Sequence, residues 1–75
     1  MEMYCVKLRN LREDHDLRQE DIAQLLHTTQ RAYSYYETGQ RDIPIPMLIR
    51  LSRYYNVSVD YILGETNSKK RYPKN

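Results

Sequence analysis

Apolar positions along the chain recur at helical rather than strand spacing. Tyr4, Leu8 and Leu11 stand at i, i+4 and i+7, with Lys7, Arg9, Arg12 and Glu13 between them. That pattern predicts a first amphipathic helix over roughly residues 3–14. Asp16 suits its end, because Asp tolerates left-handed backbone better than most residues. Gln19 to Leu26 reads as a second helix, opening with Glu20 and Asp21 near the positive end of its dipole. Thr28 and Thr29 interrupt, and Thr29 is a good N-cap for a third helix over about 30–37, with Gly39 just past its end. Pro44 and Pro46 suit the first turn of a fourth helix over about 45–55, with Ile45, Leu48, Ile49, Ser52 and Tyr55 along one side. Ser58 caps a short fifth helix that runs to Leu63 and ends at Gly64. The expectation is an all-α chain of five short helices, with connections of a few residues and no strand.

Size and composition narrow the classes. Seventy-five residues make one small domain, which buries only about 60% of the surface its unfolded chain exposes. There is no room for a dinucleotide-binding fold. A single Cys forms no internal disulfide, and the two His and one Cys lie far apart, so no metal-ligand spacing exists. No cofactor is expected, and no residues support an enzyme. No apolar run approaches the roughly 20 residues of a membrane span. The N-terminus lacks the basic-then-apolar order of a signal peptide. These features predict a cytoplasmic, nucleoid-associated protein with no membrane partner.

The net charge of +2 is unevenly divided. Residues 1–63 hold eight Lys/Arg against nine Asp/Glu, a net of −1. Residues 64–75 hold Lys69, Lys70, Arg71 and Lys74 against Glu65, a net of +3. Residues 65–75 read as a flexible basic tail on a domain of residues 1–64. Net charge thus supports nucleic-acid binding only weakly, and the argument has to come from where charges sit.

The informative stretch is Gln19 to Gly39. Two short helices joined by about three residues must cross steeply, and Ala23 is the small residue at which their backbones can approach. The turn requires positive φ, and His27 occupies that place. On the third helix Ala32, Tyr33 and Tyr36 fall on one side, assigned to the core. Gln30, Arg31, Ser34 and Tyr35 fall on the other. That outer side lacks the Glu/Lys pairs of an ordinary solvated face. Gln can pair bidentately with adenine and Arg with guanine. Gln30 and Arg31 occupy the first turn, the end that a recognition helix presents to the major groove.

Gln19-Glu20-Asp21-Ile22-Ala23-Gln24-Leu25-Leu26-His27-Thr28-Thr29-Gln30, continuing to Tyr36-Glu37-Thr38-Gly39, resembles the phage repressor/Cro-type helix-turn-helix of the xenobiotic-response-element (XRE) family. Asn56 to Gly64 is similar to that family's closing segment, so the likeness covers about residues 4–64. The resemblance implies a compact five-helix, lambda-repressor-like DNA-binding domain with its helix-turn-helix at the second and third helices. It implies base reading by Gln30, Arg31 and Tyr35, with Ser34 adjacent. It places phosphate contacts on Gln19, Thr29, Thr38, Gln40 and Arg41, and a structural ion pair on Arg12 and Glu37. The chain departs from the family pattern at three positions. Arg18 replaces a Ser or Thr cap and could itself reach a phosphate. His27 replaces a turn glycine. Tyr33 replaces an aliphatic core residue, so its hydroxyl needs a partner.

The function expected is a transcriptional regulator of double-stranded DNA, a repressor occupying a palindromic operator. The alternative is an antitoxin whose main partner is a toxin protein, for which only the tail offers an extra binding segment. A single recognition helix reads few base pairs, so a weak homodimer is expected. Tyr61 is the first candidate for its interface, and Tyr54, off the apolar stripe, the second.

Overall fold

The computed structural model describes residues 3–66; the cations of the predicted tail, Lys69, Lys70, Arg71 and Lys74, lie outside the described residues. Five helices follow one another: α1 (Met3–Asp14), α2 (Gln19–Leu25), α3 (Gln30–Thr38), α4 (Ile45–Tyr55) and α5 (Val59–Leu63). No strand occurs among the described residues. The second helix ends one residue before the sequence reading placed it, because Leu26 has already left helical ψ (φ −91°, ψ 1°).

The helices start by different devices. The Thr29 hydroxyl accepts from Ala32 N–H at 3.0 Å and caps α3, and the Ser58 hydroxyl accepts from Tyr61 N–H at 2.9 Å and caps α5. At α2 the cap is half a capping box. Asp21 Oδ2 accepts from the Arg18 N–H at 2.8 Å, but an Arg side chain has no acceptor with which to reciprocate. Pro44 precedes α4 and Pro46 sits in its first turn, where a missing N–H costs nothing.

All five helices end by one device. A left-handed residue stops each helix, and the next N–H reaches back five residues to a carbonyl that would otherwise be orphaned. The left-handed residues are Asp16, His27, Gly39, Asn56 and Gly64. The returning bonds are Leu17 to Arg12, Thr28 to Ala23, Gln40 to Tyr35, Val57 to Ser52 and Glu65 to Asp60, at 2.9–3.1 Å. This repeated terminator permits four sharp changes of direction in a short chain with only two glycines.

The core gathers Leu8 and Leu11 from α1, Ile22 and Ala23 from α2, Tyr33 and Tyr36 from α3, Leu48, Leu51 and Tyr55 from α4, and Ile62 from α5, with Leu26 and Val57 from the turns. Cys5 is also fully buried, as a small apolar residue of α1 beneath Gly39. A Cβ at Gly39 would meet Cys5 Sγ at 3.6 Å, an ordinary contact, so it is the φ of +80° and not space that calls for glycine there. α2 packs chiefly on α3, while α1 bridges α3 and α5. The Tyr55 ring closes the base of the core against His15, 5.0 Å between centroids.

The stripe assigned to α4 needs correction. Ile45 is 70% exposed and Ile49 39%, whereas Leu51, left off that stripe, is fully buried. The buried line is Leu48, Leu51, Ser52 and Tyr55, the same helical period started one turn later. That line is centred between Leu51 and Ser52, so Ile45 and Ile49 fall beside it, toward solvent.

Candidate nucleic-acid interface

The site rests on a buried ion pair. Arg12 near the end of α1 donates from Nε to Glu37 Oε2 at 2.8 Å and from Nη2 to Oε1 at 3.1 Å. Its third arm, Nη1, donates to the Leu17 carbonyl at 2.9 Å. The carboxylate is almost wholly enclosed and the guanidinium nearly so (side-chain exposures 2% and 13%). Gln19, the first residue of α2, adds a hydrogen bond from Nε2 to Glu37 Oε1 at 3.2 Å. The end of α1, the start of α2 and the last turn of α3 therefore meet on one carboxylate, which fixes the attitude of α3.

The ionisation of this cluster follows from its contacts. Burial pushes the Glu37 carboxyl up, but hydrogen bonds from Arg12 and Gln19 and the hydroxyl of Tyr33 outweigh it and hold the group below its ordinary value. The hydrogen bond to Glu37 raises Arg12. Tyr33 is fully buried, and its hydroxyl is aimed at the Glu37 carboxylate without reaching well-formed hydrogen-bond geometry. Burial first, and then the Glu37 charge, pushes the Tyr33 hydroxyl far above its ordinary value, and the same two causes raise Tyr55. Tyr33 thus belongs to the core, and its hydroxyl finds the partner that the sequence demanded of it only in part.

The opposite side of α3 faces outward. Gln30 and Arg31 occupy its first two positions and are exposed. Ser34 and Tyr35 are half-buried. The Ser34 hydroxyl donates to the Arg31 carbonyl at 2.7 Å, and the Thr38 hydroxyl donates to the Ser34 carbonyl at 3.1 Å while accepting from Gln40 Nε2 at 3.1 Å. Both hydroxyl protons are thereby used inside the helix, leaving these side chains as acceptors. Arg31 Nε donates to the Tyr35 hydroxyl at 2.9 Å, and the Arg41 guanidinium lies 5.0 Å from the centroid of the Tyr35 ring. Neither Arg31 nor Arg41 is paired with a carboxylate among the described residues. Their charges remain available to an anion.

Of the predicted contacts, Arg31, Tyr35 and Arg41 form one group, and Ser34, Thr38 and Gln40 a second along the same helix end. Thr29 serves as the cap. Gln19 faces two ways, since its amide is already engaged with Glu37, a role the sequence reading did not assign. Arg18 stands apart at 82% side-chain exposure, 3.4 Å from Glu20, a surface pair of little energetic weight. No group of His, Cys, Asp and Glu suited to a metal occurs among the described residues. Of the interface candidates, Tyr54 is 48% exposed with its ring edge against Tyr55, and Tyr61 is half-buried beneath the Lys7 ammonium, 4.2 Å from its centroid.

Two short helices joined through a left-handed residue, the second braced from behind and presenting a polar first turn with an unpaired arginine, define a helix-turn-helix protein. The sequence agrees: the chain belongs to the helix-turn-helix family, whose pattern matches residues 8–62. It is 43% identical over 65 residues to the uncharacterized HTH-type transcriptional regulator YobD of Bacillus subtilis, a match covering 87% of this chain and 58% of that protein. The fold is similar to that of a transcriptional regulator from Listeria innocua (TM-score 0.80, 32% identity, 87% of this chain and 61% of that one). It is also similar to the P22 c2 repressor solved in complex with a synthetic operator (TM-score 0.77, 21% identity, 88% of this chain and all of that one), a likeness of fold alone. The chain therefore spans about three fifths of the length of YobD and of the Listeria regulator. The proteins it resembles are described as regulators and a repressor, which gives the antitoxin reading no support. No helix among the described residues is long and apolar enough to cross a membrane.

Proposed function

We propose that this chain is a sequence-specific regulator of double-stranded DNA that represses by occupying a palindromic operator. The observation that carries the reading is the outward first turn of α3. Gln30 and Arg31 stand exposed there, Arg31 without a carboxylate partner, on a helix whose attitude the Arg12–Glu37 pair fixes. Gln30 suits adenine and Arg31 suits guanine, each bidentately in the major groove. Arg18 and Gln19 at the start of α2, Thr29 at the cap of α3, and Thr38, Gln40 and Arg41 at its far end hold the phosphates, while Lys69, Lys70, Arg71 and Lys74 add affinity without sequence preference. The family membership and the regulators among its relatives support this reading.

Repression by occupancy calls for two copies on a two-fold site, with half-sites about one helical turn apart. Tyr61 and the exposed ring of Tyr54 lie away from α3 and form a weak interface that DNA completes. Selection of bound sites from random duplexes tests the whole proposal. The expected result is an inverted repeat whose half-site loses one preferred step in Gln30→Ala and another in Arg31→Ala. Recovery of the same sites by wild type and both variants would overturn the base-reading assignment. Equal affinity for a lone half-site and for the repeat would overturn the dimer.

A further inference from the structure

Tyr35 stands between two arginines, and the geometry points to a role other than reading a base. We propose that Tyr35 is a positioning residue, its hydroxyl splinting Arg31 and its ring face holding Arg41, so that one side chain organises a base-reading and a phosphate-holding arginine before DNA arrives. The proposal rests on the functional reading above and deepens it.

Three observations carry it. Arg31 and Tyr35 are four residues apart on one helix face, the spacing at which side chains meet, and Nε donates to the hydroxyl at 2.9 Å. With Nε engaged there, the two Nη groups remain free at the end of the fork, and they are the pair able to reach guanine O6 and N7 end-on. The second observation is the backbone beyond α3. Gly39 turns the chain at φ +80°, and the N–H groups of Gln40 and Arg41 both reach the Tyr35 carbonyl, at 2.9 and 3.3 Å. The turn therefore delivers Arg41 to the residue whose ring it covers, 5.0 Å from the centroid, a cation–π arrangement. The third is burial. Tyr35 is half-buried, with one face under a guanidinium and its oxygen already accepting, which leaves it little freedom to reach a base edge. Arginine side chains lose many rotamers when they bind, so ordering two of them in the free protein removes that loss from the binding step.

The test joins site selection with nuclear magnetic resonance of the free protein, using Tyr35→Phe, Tyr35→Leu, Arg31→Ala and the double variant Arg31→Ala/Tyr35→Phe. In the free wild type the Arg31 Nε–H should exchange slowly, and the Arg41 side chain should show ring-current shifts. Tyr35→Phe should abolish the first and keep the second; Tyr35→Leu should abolish both. On DNA, Tyr35→Phe should weaken preference about three- to tenfold at the single base step relaxed by Arg31→Ala, and add nothing in the Arg31→Ala background. Tyr35→Leu should also reduce the salt dependence of binding by about one phosphate, which Tyr35→Phe should not. An effect of Tyr35→Phe at a different step, or one that persists without Arg31, would mean that Tyr35 reads a base itself and would overturn the proposal. Wild-type preference in Tyr35→Phe would overturn the hydroxyl's role, and an unchanged salt slope in Tyr35→Leu would overturn the ring's. If Arg31→Ala itself selects wild-type sites, the base-reading assignment fails first and this proposal with it.

Discussion

On its inward face α3 carries Tyr33, Tyr36 and Glu37 into the core; on its outward face it carries Gln30, Arg31, Ser34 and Tyr35, exposed or half-covered. Both faces hold an arginine by hydrogen bonds of similar length, Arg12 on Glu37 at 2.8 Å and Arg31 on Tyr35 at 2.9 Å. Their surroundings make these bonds unequal. Inside, water cannot replace a lost partner, so removing one strands a charge. Outside, water competes for every donor, so the bond shapes a side chain while contributing little to the stability of the fold. One helix can therefore support stability and recognition as nearly separate properties.

The largest expected effect breaks the inward face. Glu37→Gln keeps the volume but leaves Arg12 without its counter-charge. The loss should be about 3–5 kcal/mol, since the carboxylate is enclosed and the guanidinium nearly so. For a domain of this size each kcal/mol moves the melting temperature by about 4–8 °C, so calorimetry should show a fall of more than about 10 °C. The pH dependence has a definite sign. Glu37 is held below its ordinary value in the folded state, so its stabilisation is full above the unfolded carboxyl's pKa and is lost as pH falls through the folded one. Wild type should lose stability on acidification through that window, and Glu37→Gln should lose less. A melting temperature equal to wild type would show the pair to be solvent-screened.

The outward face should respond in the opposite manner. Arg31→Ala or Gln30→Ala should cost about 1–3 kcal/mol of discrimination at one base step. Each should leave the melting temperature close to wild type, because exposed substitutions usually stay within about 0.5 kcal/mol. Melting and site selection on the same samples check both halves. A strongly destabilised Arg31→Ala would erase the division between the faces.

Tyr33 sharpens the comparison because it lies inside yet is only partly satisfied. At neutral pH, Tyr33→Phe removes a buried hydroxyl that has no well-formed bond and also the small support it gives Glu37. The two changes oppose each other, and the net should stay within about 1 kcal/mol. In alkali the result is less balanced. A tyrosine raised by folding contributes stability that is full below its unfolded pKa, about 10, and is lost as pH rises through the folded one. Tyr55 behaves likewise. Burial raises Tyr4 as well, and Tyr33→Phe removes one of these groups, so its decline above about pH 10 should be shallower in a denaturant titration. An identical alkaline limb would count against burial of the Tyr33 hydroxyl.

Much of this arrangement was legible in the residues. Thr29, Ser58, Gly39 and Gly64 announced helix ends because capping and left-handed turns depend on local chemistry. The Arg12–Glu37 pair followed from resemblance, not spacing, since 25 residues separate the partners. What stayed hidden depends on where elements sit in space. Periodicity gives α4 the right repeat but not its phase: the pattern points Ile45 and Ile49 inward, whereas packing buries Leu51. The hydrogen bond from Gln19 to the Glu37 carboxylate was not legible, because nothing local in the sequence shows that the two residues meet. The Tyr35–Arg41 contact exists only because the Gly39 turn folds the chain back, a tertiary consequence of one backbone angle.

The smallest expected effect lies on neither face, in the turn that joins α2 to α3. His27 holds φ +57° with its side chain exposed, so replacing it sacrifices no packing. Left-handed backbone costs an ordinary L-residue about 1–2 kcal/mol. Glycine avoids that cost but adds about 0.5–1 kcal/mol of lost freedom on folding. The difference favours His27→Gly by about 0.5 kcal/mol, a rise of about 2–4 °C in melting temperature. Asp16 and Asn56 supply internal controls, with φ +55° and +57°. Their short polar side chains tolerate this region better, so Asp16→Gly and Asn56→Gly should gain less than His27→Gly. The turn's backbone bond from Thr28 N–H to the Ala23 carbonyl, 2.9 Å, does not involve the His27 side chain, so the helix angle and the selected DNA site should both stay as in wild type. A His27→Gly variant that melts lower than wild type would mean that the imidazole holds the turn by a contact of its own.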